Sequence, residues 1–219
     1  MTRTGQRGFV VALTSLVVVA GAAAVATITV TPSKAQDSHL SARLEPETAG
    51  AVQQLVDSAD RAKLPGTLIA DKALEFQAKG ASDEEIIEAA RHFEANLGRA
   101  SAALGERSTT DELRWGATAL EASLPSRELA RLRTAAPRRS LATALIVECD
   151  LITAGVPVGT SSELVVSMLR AGVRDPDLLV FQQDVTNDIG RGLRAPVSAA
   201  ARARGAIDQM AGRSGRAVR

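Results

Sequence analysis

His92 and Glu88 stand four residues apart, a spacing that on a helix turns both side chains to one side, as two ligands of a metal ion would require. A pair does not make a site. The only other histidine, His39, falls in a polar stretch far up the chain, so the spacing predicts a solvated helix surface and no metal. Cys149 would be a nucleophile only beside a base; it follows Leu145, Ile146 and Val147 in an apolar stretch, where a small hydrophobe belongs, and is read as a core residue. Glu84 with Glu88, and Asp184 with Asp188, each put two carboxylates on one helical face, as a glycosidase-like hydrolase would want. Acids at this spacing are commonplace on surface helices, and sugar-stacking aromatics are scarce: aromatic residues make up 2% of the chain and Tyr is absent. Two Gly/Ser clusters, 159–162 and 212–215, match neither a nucleophile elbow nor a phosphate-binding loop; the first is read as capping a helix that begins near Ser162, the second as tail. Trp115, the sole tryptophan, is read as a half-buried edge of the core. No catalytic, cofactor-binding or metal-ligating residue is assigned, and no cofactor is expected.

The elements that would position any of these side chains are helices. Hydrophobic residues are 45% of the 219 positions, and with so few aromatics the core must be built from Ala, Leu, Val and Ile, a composition suited to close-packed helices. Val52, Leu55, Val56 and Ala59 recur at the spacing of one buried helical face, which Leu64-Pro65-Gly66 ends. A second helix is expected over 68–78, closed by Lys79-Gly80 with glycine at a left-handed cap. Ser82 then precedes Asp83-Glu84-Glu85, an N-cap with acids in the first turn and a capping-box glutamate at Glu85. The third helix should run to about Leu97 and bury Ile86, Ile87, Ala90, Phe93 and Leu97. Further helices are expected over 110–123, with Leu113, Ala117 and Leu120 inward, and over 128–135, ended by Ala136-Pro137. No alternating β-branched run lies between turn residues outside the N-terminal segment, so the fold class is all-α.

The pattern returns 92 residues later. Leu64-Pro65 matches Val156-Pro157, Leu74 matches Val166, Gly80 matches Gly172, Asp83 matches Asp175, Ile86-Ile87 matches Leu178-Leu179, Phe93 matches Val185 and Leu97-Gly98 matches Ile189-Gly190. This predicts two three-helix units, roughly 49–98 and 141–190, within an irregular bundle of helical hairpins resembling an α-solenoid.

The chain opens with Arg3 and Arg7 before an apolar run from Phe9 to Val30, followed by Pro32-Ser33-Lys34-Ala35. Basic, apolar and small-x-small in that order read as a signal peptide over 1–35, cleaved after Ala35 or at Ala26, with an uncleaved anchor over 9–30 as the alternative. A linker is expected over 36–46, a helical domain over 47–193 and a basic C-terminal tail over 194–219. The net charge of +1 hides a division: residues 36–190 hold 16 bases and 24 acids, and residues 191–219 hold seven Arg and one Asp. With Cys149 alone, no intramolecular disulfide can form.

Leu64-Pro65, Lys72-Ala73-Leu74-Glu75, Ala78-Lys79-Gly80-Ala81, Ile86 to Arg91 and Gly155-Val156-Pro157 together resemble a set of uncharacterised exported all-helical bacterial proteins. The resemblance covers roughly 45–195 and implies export and helicity, with no assigned activity and no catalytic residue to carry over. The expected function is therefore a non-enzymatic interaction or scaffold module of the cell envelope, periplasmic or extracellular. It would meet a protein or an anionic envelope partner through its helical surface or basic tail. Nucleic acid is not expected as a partner, and membrane association is expected only if the N-terminal segment stays uncleaved. The rival is an envelope hydrolase using helix-borne carboxylates.

Overall fold

Proline and capping side chains start the helices of this chain, and left-handed residues end most of them. The computed structural model describes residues 39–217, with side chains to 213; the expected signal peptide or anchor lies outside the described residues. Helix α1 spans Pro46–Arg61, α2 Thr67–Ala78, α3 Asp83–Leu104, α4 Thr110–Glu121, α5 Ser126–Ala135, α6 Ala142–Thr153, α7 Val158–Arg170, α8 Asp175–Gly190 and α9 Ala195–Ala217. No strand occurs among the described residues, and the class is all-α. Proline sits in the first turn of α1 and of α8, and full capping boxes open α3 (Ser82 with Glu85) and α4 (Thr109 with Glu112).

One C-terminal device ends α1, α2, α4, α6, α7 and α8. A residue with positive φ bonds its amide three residues back, and its successor bonds five residues back, which satisfies two otherwise orphaned carbonyls. Those residues are Lys63, Gly80, Ser123, Gly155, Gly172 and Gly192. The expected caps at Gly80 and Gly172 are thus present, with φ of 76° and 78°.

Packing runs along the chain. α1 packs on α2 and α3, α2 on α3, α3 on α4 and α5, α4 on α6, α5 on α7, α6 on α7 and α8, and α9 on α7 and α8. Two hydrophobic clusters result. The first gathers Leu40, Val52, Val56, Ile69, Phe93 and Leu97; the second gathers Leu129, Leu145, Leu151, Met168, Leu178 and Ala199. α3 and α4 serve both, and they approach closely at Gly116, where a Cβ would lie 3.0 Å from Leu104 Cδ1 and 3.1 Å from the Ala100 Cβ.

Several sequence expectations need correction. The turns and buried positions recur at the 92-residue offset, with Lys63 and Gly155 both left-handed and Phe93 and Val185 both buried. The packing recurs only in part: α6 packs on α7 and α8 as α1 packs on α2 and α3, but α2 lies along α3, whereas α7 packs on α5, α6 and α9 and not closely on α8. α8 instead turns its acids to α9, so the equivalence of the two three-helix units is local only. Ile87 is half-buried and its counterpart Leu179 exposed, because only the first residue of each pair faces the core. α7 begins at Val158, directly after Pro157, so Ser161 and Ser162 lie inside it rather than at its start. The stretch read as linker contributes Leu40 and Leu44 to the first core, and the stretch read as a basic tail is a helix whose Ala199 and Ala203 enter the second. No described helix is long and apolar enough to cross a membrane.

Candidate functional site

The acid pair that the sequence presented on α3 lies on an open helix surface. Glu84 and Glu88 face solvent, and Glu88 accepts from Arg91 at 2.8 Å. His92 is exposed beside Asn96, whose amide nitrogen lies 3.4 Å from its Nδ1. Trp115 is half-buried against the second core. Among the described residues, no group of three or more His, Cys, Asp or Glu side chains is placed to hold a metal ion.

The two carboxylates on α8 are brought together as spaced, and α9 closes on them. Asp188 accepts both arms of the Arg202 guanidinium at 2.8 Å and the Ser198 hydroxyl at 2.8 Å; Asp184 accepts a third Arg202 contact at 3.3 Å. Two turns from Asp184 toward the start of α8, Asp177 pairs with Arg213 at 3.2 Å and with Arg174 at 3.3 Å. The hydrogen bonds from Arg202, then Ser198, hold the Asp188 carboxyl down at about 2. Burial pushes the Asp177 carboxyl up, but the bonds from Arg213 and Arg174 outweigh it and keep it below its ordinary value. Between these pairs runs an open cleft of about 220 Å³, lined by Asp177, Phe181, Asp184, Arg202, Gly205 and Gln209. The acidic body and basic C-terminal end foreseen from charge alone are therefore at least partly each other's partner.

A second polar cluster lies sealed in the core. α6 is apolar nearly all round, yet carries Glu148 at 0% exposure. Its Oε1 accepts the Ser162 hydroxyl at 2.8 Å; its Oε2 and the neighbouring Ser161 Oγ, both buried, have no hydrogen-bond partner. Burial drives the Glu148 carboxyl up to about 7 against the pull of the Ser162 and Ser161 hydroxyls, and the charge of Glu128 on α5 adds to the rise. Glu128 itself is held by Arg131 at 2.7 Å and Arg127 at 3.4 Å. Burial, with Glu148, Asp150 and Glu121 nearby, also pushes the Cys149 thiol up to about 12, so it stays protonated and unreactive at neutral pH. A protonated carboxyl is a general acid in principle. Here Glu148, Ser161 and Ser162 are all fully covered, and the cluster holds a proton without presenting it.

Glu112 is buried too, and its role is structural. One oxygen closes the capping box on the Thr109 amide at 2.8 Å; the other accepts the Leu141 amide at 2.7 Å and Arg133 at 2.6 Å, tying α4 to the loop before α6 and to α5. Burial raises this carboxyl, and the two amides and Arg133 more than offset it, leaving it below its ordinary value.

Sequence reasoning missed Glu148. Its signal was a lone acid in Leu-Ile-Val-Glu-Cys, a helix with no polar face to carry it outward. Comparison with family models, curated proteins and solved structures finds no match for this chain.

Proposed function

We propose that the chain is an exported α-helical interaction module of the cell envelope, working through the surface formed by α8 and α9. The observation that supports this reading is the use to which the carboxylates are put. Asp184, Asp188 and Glu112 are engaged by arginines and amides, and Glu148 is covered, so the acids best placed for chemistry are spent on holding helices together. The accessible feature is instead a cleft and an arginine-bearing helix edge, the kind of surface that binds. The apolar run Phe9 to Val30 is what motivates export, with retention as a membrane anchor the other form the same reading takes.

The test places a photo-crosslinking residue at Val197 in cells and follows it into envelope fractions. The reading expects a discrete adduct with an envelope component, unchanged when Glu84 and Glu88 are both replaced by Gln. Turnover of an envelope polymer by the purified chain, abolished by that double substitution or by Asp184→Asn, would overturn it in favour of the hydrolase.

A further inference from the structure

Two turns of this chain are written almost identically. Gly172-Val173-Arg174-Asp175-Pro176 joins α7 to α8, and Gly192-Leu193-Arg194-Ala195-Pro196 joins α8 to α9. Both use a left-handed glycine, and both place an aliphatic residue directly after it, where such a cap normally packs a hydrophobe against its own helix. In the first turn Val173 is 0% exposed and Arg174 bonds Asp177. The second departs on both counts: Leu193 is 46% exposed, and the Arg194 side chain makes no hydrogen bond or ion pair among the described residues, only its backbone carbonyl accepting from the Val197 and Ser198 amides. At the other helix ends closed in this way the aliphatic successors Leu124 and Val156 are buried as well, so Leu193 is the exception.

The surroundings of Leu193 share its character. Val197, one turn into α9, is 56% exposed. Arg191 precedes the turn, and Arg204 follows on the same side of α9 as Val197; both are exposed, and neither side chain makes a hydrogen bond or close ion pair among the described residues, though the Arg191 charge acts on Asp188. The arginines that face α8, by contrast, are neutralised: Arg202 by Asp184 and Asp188, Arg213 by Asp177. α9 thus sorts its cations into a set consumed by the fold and a set left around two exposed aliphatic side chains. Asp208, the one acid described on α9, lies four residues after Arg204 on the same side, so three cations of this region stand against one acid. Two aliphatics among three guanidiniums that no close carboxylate holds complement one chemistry well: a layer of phosphate headgroups over an apolar boundary.

We infer that the α8–α9 turn docks on an anionic lipid surface, Leu193 and Val197 entering the headgroup boundary while Arg191, Arg194 and Arg204 engage lipid phosphates. This rests on the envelope-module reading and narrows its partner to lipid. The docking requires no opening of the fold, since the ion pairs of Arg202 and Arg213 lie on the side of α9 that faces α8.

The test uses the full chain with an environment-sensitive dye on Ala201→Cys, an exposed position on the same side of α9, Cys149 being buried and out of reach. A dye on Glu84→Cys, on the exposed start of α3, is the control for any insertion of the N-terminal segment. With vesicles of phosphatidylglycerol and phosphatidylcholine the Ala201 dye should shift to the blue and the Glu84 dye should not. The shift should vanish in pure phosphatidylcholine. Arg191→Gln with Arg194→Gln should weaken it by about thirtyfold in lipid concentration, at about 1 kcal/mol per cation near the surface. Equal shifts at both dyes, a shift indifferent to lipid charge, or one unaffected by the double substitution would each overturn the inference. If the dye stays in water while the Val197 crosslink to an envelope component persists, docking on lipid falls and the interaction module stands.

Discussion

Raising the pH from about 5 to about 8 is expected to weaken the fold by about 3 kcal/mol, through one residue. The Glu148 carboxyl sits at about 7 in the folded chain against an ordinary value of 4.5. A group whose value is raised by folding contributes stability that is complete below 4.5, where both states are protonated, and that is lost as the pH rises through 7. The protonated form suits the site, because an ionised carboxylate at full burial would have serine hydroxyls but no cation against it. Asp150, raised by burial, adds in the same sense. The carboxylates lowered by folding act at the other end: Asp188, held at about 2, loses its contribution as the pH falls from 3.8 toward 2. Stability should therefore be greatest on the mildly acidic side. Denaturant midpoints across this range check it, and Glu148→Gln should flatten the limb between about 5 and about 8. A wild-type limb as flat as that of Glu148→Gln would show that the carboxyl is ionised at no cost.

Phe93→Ala is expected to destabilise by about 3–5 kcal/mol, the range for removing a large side chain from a close-packed core. Phe93 is buried among Val52, Ile69 and Leu97, and Lys72 Nζ lies 5.4 Å from its ring centroid. Lys72 would keep its pairing with Glu121 at 3.0 Å, so the loss should be one of packing rather than of a stranded charge. Val185→Ala, at the matching position of the second core, removes only two methyl groups and should cost roughly 1–2 kcal/mol. Thermal and denaturant unfolding of the two variants measures both. Equal effects would indicate that Phe93 is loosely packed.

Helix positions, turns and the first core were legible in the sequence because each has a local signature. Ser82 with Glu85 is a capping box, Gly80 and Gly172 are left-handed caps, and Val52, Val56 and Ala59 keep helical spacing. What local signatures cannot carry is which helices meet. The 92-residue recurrence was read as two equivalent units because turn and core residues repeat, but the partner of α7 depends on α9, which buries Ser198, Ala199 and Ala203 with Ala206, Ile207 and Met210 partly covered beside them. A face built mostly of alanines among arginines marks burial less plainly than the Val and Leu of the first core, so 194–219 read as tail. Its docking rests in part on pairs 14, 18 and 36 residues apart, Asp188 and Asp184 with Arg202 and Asp177 with Arg213, and on no motif. Ser162 was mistaken for a helix start because serine favours caps, whereas Pro157 already supplied the start four residues earlier.

The surface assigned here exists only if the arginine-rich segment is folded against α8. Native-state hydrogen exchange on the full chain tests that most directly. Amides of 199–206 should be protected to nearly the same degree as those of α7 and α8, with Asp188→Asn loosening 199–206 before α3 and α4. Exchange at 199–206 as fast as in an unfolded peptide, with α7 and α8 still protected, would contradict it.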